Sequence, residues 1–476
     1  MDESGITPGD RKVVWGTYAA AAALLVLAWE PIVLGGIAID REHAFDLGLY
    51  SQAVYRLSWS DPNPWLTIRQ SNIFNDHFEP ILWVAAPLAR LIDPALAGAL
   101  VELLFVLASP LSVIWLWKRG VVGAGAAVVA IAYMLHNRGT VSAILFPFHP
   151  TTWAILPAAW LGATLLADRR RGVFLSLLVL FCCKQEFPLV GLMAAVVYAW
   201  RREFRFSLLL AAFSTAWLLG VVYLRPVLLG PVHDYVSGRL LAPEGLWASI
   251  ERGCRGFDAR GVTHVLLPLL PLAGWVIWRR RRPALWLWLL LLPPLGLRFL
   301  GRAWMFHYMP PMVPLLVLGL VPQGSQVRLP RAVVVAVFAL LLAVNAGFWM
   351  RSARFLVLDD PRDSRPWQSE RLASIERGRG FLKAHPDGKS LLQGNLIPRL
   401  VTRPDIYQVA GLHDPAAHTF RYVFIEQPPY GDPWPVTSAD YGRLLAQWRS
   451  TSNARVIIDD KHVFLAEGTF RDLPRK

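Results

Sequence analysis

The sequence predicts an α-helical polytopic membrane protein of about eleven spans with a small C-terminal α/β extracytoplasmic domain. Three observations predict it. Hydrophobic residues make up 54% of the 476 and charged ones only 17%, where soluble domains hold about 25% charged. The apolar residues come in long runs (13–29, 95–117, 121–135, 206–224 and 332–350) with at most one charge each, an arrangement that suits lipid rather than a soluble core. After Met350 the composition shifts: 34 of the last 126 residues are charged, about 27%, against 48 of the first 350, about 14%.

The expected spans lie near 13–36, 95–117, 120–135, 151–167, 173–187, 188–200, 206–229, 264–278, 284–297, 310–322 and 332–350. The first is too long for a signal-peptide core and reads as a retained anchor. Several are shorter than the roughly 20 residues a lone helix needs, so protein must cover their ends. Residues 80–92 break the charge alternation if they span, and are expected to form a re-entrant or interfacial helix. Basic clusters sit between the runs: Arg11-Lys12, Lys118-Arg119, Arg169 to Arg171, Arg201-Arg202, Arg279 to Arg282, and Arg328 with Arg331. Such loops face the cytoplasm. The formal net charge of +14 is therefore a topology signal rather than a nucleic-acid footprint. The expected location is the cell (inner or cytoplasmic) membrane, with a cytoplasmic N-terminus.

Residues 1–350 form the expected transmembrane domain, with outer loops 40–78, 136–150 and 230–263, and residues 351–476 the outer α/β domain. In the tail, helices are expected at 368–384 and 439–448. Short strands are expected at 390–393, 406–410, 422–426, 455–459 and 462–466, the last two forming a hairpin. The three cysteines show no disulfide framework or metal spacing.

Ionisable groups at membrane depth or on the outer rim are functional candidates. Asp46, in Phe45-Asp46-Leu47-Gly48, can take a proton from a hydroxyl or bind a divalent cation such as Mg or Mn. It can equally cap a helix starting at Leu47. Asn75-Asp76-His77-Phe78-Glu79-Pro80 offers metal or phosphate ligands in Asp76 and His77, or a capping box from Asp76 to Glu79. His149, between Pro147 and Pro150, can donate to a phosphate or serve as an ordinary hydrogen bonder. Lys184 and Glu186 interrupt an apolar stretch and, two residues apart, do not share a helix face. Arg302, His307 and Tyr308 suit a phosphate site or an interfacial aromatic belt. No phosphate-binding glycine loop, zinc spacing or serine elbow is present.

The ordered blocks Phe45-Asp46-Leu47-Gly48-Leu49-Tyr50-Ser51-Gln52, Asp76-His77-Phe78-Glu79-Pro80, Phe148-His149-Pro150 and Lys184-Gln185-Glu186 carry a resemblance. So do Gly394-Asn395-Leu396-Ile397-Pro398-Arg399-Leu400 and Arg421-Tyr422-Val423-Phe424-Ile425-Glu426. Together they resemble the domain-of-unknown-function family 2079 of predicted bacterial and archaeal membrane proteins. Two departures stand out: Ser51 where an Asp is common, and Gln185-Glu186 in place of Glu-Asp. That family is similar in architecture to the GT-C glycosyltransferases, which use polyprenyl-phosphate sugars and carry an Asp in the first outer loop. The resemblance implies a glycosyltransferase-like enzyme using a lipid-linked sugar donor at the outer face. Asp46 would be the catalytic residue. His77, His149, Lys184, Glu186, Arg302 and His307 would contact substrate, and Asp46, Asp76 and His77 a metal. The competing expectations are a lipid-binding or transport protein without chemistry, and a structural protein whose outer domain docks partners.

Overall fold

The computed structural model describes residues 7–40, 44–146, 148–230, 245–257, 259–279, 281, 283–301, 308–324, 327–347, 349–350, 366–412, 414, 418–427 and 437–472. The chain divides into two compact units. Met1–Trp29, Phe74–Ile81 and Leu100–Ser352 form the first, and Glu30–Ile73, Leu82–Ala99 and Ala353–Lys476 the second. This division differs from a cut at Met350: most of the first outer loop belongs with the tail. The physical reason is a set of buried ion pairs inside the second unit.

Helix occurs in each of the eleven apolar stretches. Three continuous runs are long and apolar enough to cross a membrane: Pro8–Ala38, Pro94–Lys118 and Phe204–Leu229. The first and third contain π-turns, Glu30–Leu34 and Gly220–Leu224. Pro31 lies in one and Pro226 just after the other, where the missing N–H breaks the regular ladder. Phe204–Leu229 leaves Leu208, Leu209, Val222, Val227 and Leu228 exposed, as a helix solvated by lipid tails does. The shorter helices are the covered ones. Every residue of Ala124–His136 from Ala126 onward is buried, and nine of the twelve in Ile155–Leu166. Residues 80–92 are not a continuous helix. They form two 3₁₀ turns, Pro80–Val84 and Leu88–Arg90, because Pro80 and Pro87 remove two donors within eight residues.

Within the first unit the basic turns gather at one end. Arg170 pairs with Glu203, and Arg201 lies 3.7 Å from Asp168. The Arg201 guanidinium also lies 4.3 Å from the Trp286 ring centre. Backbone bridges join Val122 to Gln323 and Pro283 to Pro322, and Lys118 reaches the Trp15 ring. Loops far apart in sequence thus share the positive end that their charge predicts.

The second unit contains a five-stranded sheet in the order Ile406–Gln408, Ser390–Leu392, Phe420–Glu426, Val463–Phe470, Arg455–Asp459. The first three strands are parallel and the last two form the expected antiparallel hairpin. Phe420–Glu426 is buried at six of its seven positions, as a strand covered on both faces must be. Val423 and Ile425 pack with Tyr441, Leu444 and Trp448 of the helix Ser438–Arg449. Phe424 points to the other face, against the helix Pro366–Ala384, where a Cβ built on Gly378 would meet the Phe424 ring at 2.5 Å.

That close approach yields a paired test. Gly378→Ala should destabilise the protein by about 1–3 kcal/mol, the usual range for overpacking a filled core. Gly380, two residues on, is exposed and has nothing within 4 Å of its Cβ position. There alanine should stabilise by about 0.5–1 kcal/mol through helix propensity alone. Denaturation of the full chain in detergent measures both; equal effects would refute the packing.

Candidate functional site

In the first unit, polar groups from several helix ends meet around Tyr308. Lys184, Gln185 and Glu186 occupy the break between the helices Arg170–Cys183 and Pro188–Trp200. Pro188 begins the second helix, and it has no N–H to continue a helical ladder to the Lys184 carbonyl four residues earlier. Lys184 itself is extended, with φ −166° and ψ 147°. Its side chain is buried. Its ammonium donates to Thr151 Oγ1 at 3.2 Å and lies 4.7 Å from the Tyr308 ring centre. Arg298, from the helix Leu292–Gly301, lies 4.0 Å from the same ring and pairs with Glu186. The His149 ring is 6.3 Å from that of Tyr308. His149 Nδ1 accepts from the Thr151 N–H at 3.2 Å, capping a short helix, while the His149 backbone N–H donates to Glu102 Oε2 at 2.8 Å. Its ordinary hydrogen-bonding role is therefore real.

A second group joins through Gln185. Its side-chain oxygen accepts from the Phe78 N–H at 2.9 Å and from Arg225 Nη1 at 3.5 Å. This ties the 76–79 block to the helix break. Asp76 and Glu79 are buried and His77 is half-buried. The capping box is not formed: Asp76 closes the four-residue helix Ile73–Asp76 instead of opening one. Asp76 and Glu79 lie near enough to Lys184 to act on its charge.

The structure thus brings together His149, Lys184 and Glu186 around Tyr308, and joins the block holding Asp76, His77 and Glu79 through Gln185. Arg302 and His307 lie outside the described residues. Arg225 and Arg298 are the two site cations that sequence reasoning missed. Each is a lone arginine in an apolar stretch, and a charge at membrane depth was the available signal.

Asp46 belongs to the second unit. It is half-buried on the π-turn Ala44–Gly48, which runs directly into the helix Leu49–Arg56. The N-cap position is Gly48, in helical conformation and without a side-chain cap. The expected cap at the start of a Leu47 helix is therefore not what this turn builds. Ser51, where an Asp is common in the resembling family, is fully buried.

A buried polar network holds the chain just before this turn. Arg379 Nη2 donates to Asp40 Oδ1 at 2.6 Å. The Arg371 fork donates to both Glu426 oxygens, at 3.0 and 2.5 Å, and its Nη1 to the Ile39 carbonyl at 2.8 Å. Asn395 Nδ2 serves the Asp40 carbonyl at 3.0 Å and Glu426 Oε1 at 2.6 Å. Burial pushes the Asp40 and Glu426 carboxyls above their usual range, against the pull of the neighbouring arginines. On the far side of the turn, Arg56 donates to the Trp65 carbonyl at 2.7 Å and to that of Pro404.

Asp46 is in one unit, Asp76 and His77 in the other. Among the described residues, no group of three or more His, Cys, Asp or Glu is placed to hold a metal ion.

A comparison with curated proteins finds no match. Among solved structures, the fold is similar to that of ArnT from Cupriavidus metallidurans bound to undecaprenyl phosphate. The TM-score is 0.60 and the identity 14%, covering 95% of this chain and 98% of the other. The apo form of the same protein gives a TM-score of 0.54 at 14% identity, covering 94% and 98%. The GT-C-like architecture is borne out, and with it a multi-pass membrane protein. Residues 42–231, which carry Asp46, Asp76, His77, His149, Lys184 and Glu186, match the family described as predicted membrane protein (DUF2079).

Proposed function

We propose that this protein is a membrane glycosyltransferase-like enzyme acting on a polyprenyl-phosphate-linked sugar at the outer face of the membrane. The observation that carries the proposal is the buried cation pair at Tyr308: Lys184 and Arg298 share one ring where the membrane helices break. The fold likeness supports it, because the similar ArnT structure holds undecaprenyl phosphate.

In glycosyl transfer the acceptor oxygen bonds to the anomeric carbon while the bond from that carbon to the phosphate oxygen breaks. Negative charge develops on the departing phosphate and the acceptor hydroxyl loses its proton. Lys184, with His77 and His149, would receive the phosphate, since fixed donors in a dry site stabilise developing charge at little reorganisation cost. Glu186 would act through Arg298, and Arg302 and His307 would add contacts to the donor. Asp46 would take the hydroxyl proton.

Two measurements test the proposal. Asp46→Asn removes the base and keeps the size, so transfer from a synthetic polyprenyl-phosphate sugar should fall roughly 10²–10⁴-fold, with melting in detergent unchanged within about 0.5 kcal/mol. Undiminished transfer would remove Asp46 from the chemistry; binding of the lipid without any transfer would favour the lipid-binding alternative.

Sidedness is the second. The N-terminus is proposed to be cytoplasmic and the tail extracytoplasmic. In a background lacking the native cysteines, exposed Ser450→Cys should label with a membrane-impermeant maleimide in intact cells, and exposed Arg119→Cys only after lysis. The reverse pattern would invert the topology and place the site on the cytoplasmic face.

A further inference from the structure

We propose that the C-terminal domain positions Asp46, with Arg371, Arg379 and Asn395 as positioning residues. The proposal rests on the role given to Asp46 above and deepens it.

What these side chains hold is chiefly backbone. Arg371 takes the Ile39 carbonyl and Asn395 the Asp40 carbonyl, while Arg379 takes the Asp40 carboxylate. Holding carbonyls fixes where the chain runs whatever side chains it bears. Asp40 has φ 53°, in the left-handed region that is uncommon for a non-glycine residue and that aspartate enters more readily than most. Three donors from the tail hold the chain in that conformation. The chain is thereby fixed six residues before Asp46.

The turn itself is backed by the same domain. Ala44–Gly48 packs against the 3₁₀ turns Gly394–Leu396 and Pro398–Leu400, and Asn395 belongs to the first of these. Arg56 closes the far side on the Pro404 carbonyl. Hydrogen bonds between residues more than 330 positions apart are a costly way to bury a loop. Buried ion pairs add little net stability over apolar packing, so their use here is consistent with fixing geometry.

The experiment uses the full-length chain in detergent with two variants, Asn395→Ala and the milder Arg379→Lys, and Arg449→Ala as control. Arg449 pairs with Asp459 at the surface of the same domain. Backbone hydrogen exchange is read at residues 44–49 and in the strands Phe420–Glu426 and Val463–Phe470. Both variants should speed exchange at 44–49 by about tenfold or more through local opening and leave the strands and the control unchanged. Transfer from a synthetic polyprenyl-phosphate sugar should lose kcat by a similar factor, with the donor KM within about twofold. Unchanged protection at 44–49, or faster exchange spread evenly through the sheet, would overturn the proposal. So would a loosened turn with unaltered kcat. If Asp46→Asn transfers as the wild type does, the enzymatic role fails instead, while the exchange data still decide whether the tail holds the turn.

Discussion

A charge taken out of water must find a partner, and both units are organised by that requirement. Arg371 and Glu426 are 7% and 0% exposed, Arg379 and Asp40 1% and 2%. Removing one member of such a pair typically costs about 3–5 kcal/mol, because the other is left buried and uncompensated. The elements that carry these groups therefore have little freedom to shift. In the first unit the same rule ties Arg298 to Glu186 and places Lys184 beside Thr151 and Tyr308.

Where the charges sit follows from the backbone. A regular helix spans lipid because it satisfies its own amides, and it offers no place for a lysine except where it stops. Lys184, Gln185 and Glu186 occupy such a stop, set by Pro188. Arg225 begins a new turn just before Pro226. The short helices that these stops create are buried among their neighbours, and the long run Phe204–Leu229 takes the lipid. Proline placement thus sets stops that admit Lys184, Gln185 and Glu186, while Glu102 and Arg298 are buried within helices and need partners there.

Much of this was legible in the residue order because it depends on periodicity. The apolar runs gave the helices. The short β-like runs 455–459 and 462–466, joined by Asp460-Lys461, give the hairpin, whose register pairs Val456 with Ala466 and Asp459 with Phe464. What was not legible depends on pairs distant in sequence. Asp40 looks like one more loop carboxylate until Arg379, 339 residues later, is seen on it. The same holds for Asn395 and the Asp40 carbonyl, 355 residues apart. No local pattern announces such contacts, so composition alone groups residues 40–78 with the membrane domain, whereas residues 30–73 cluster with the tail. Asp76 fails as a cap for a local reason: Pro80 disfavours helical backbone at Glu79, so residues 77–79 are not helical and turn geometry resumes only at Pro80–Val84.

Gln185 shows how one departure from the resembling family bears on the site. Among the described residues its neighbourhood holds the cations Lys184, Arg225 and Arg298 and the carboxylates Asp76, Glu79, Glu102 and Glu186. A glutamate at 185, as is common in that family, would add one more negative charge beside Arg225. The carboxamide accepts the Phe78 and Arg225 hydrogens all the same, so it keeps the tie between the 76–79 block and the helix break. It does so without adding to the negative field. In a low-dielectric site one unit of charge a few ångströms away is worth several kcal/mol at an effective dielectric of about 20. The substitution therefore moves this cluster toward binding anions while leaving its hydrogen-bonded geometry in place, a direction that suits a phosphate and disfavours a cation.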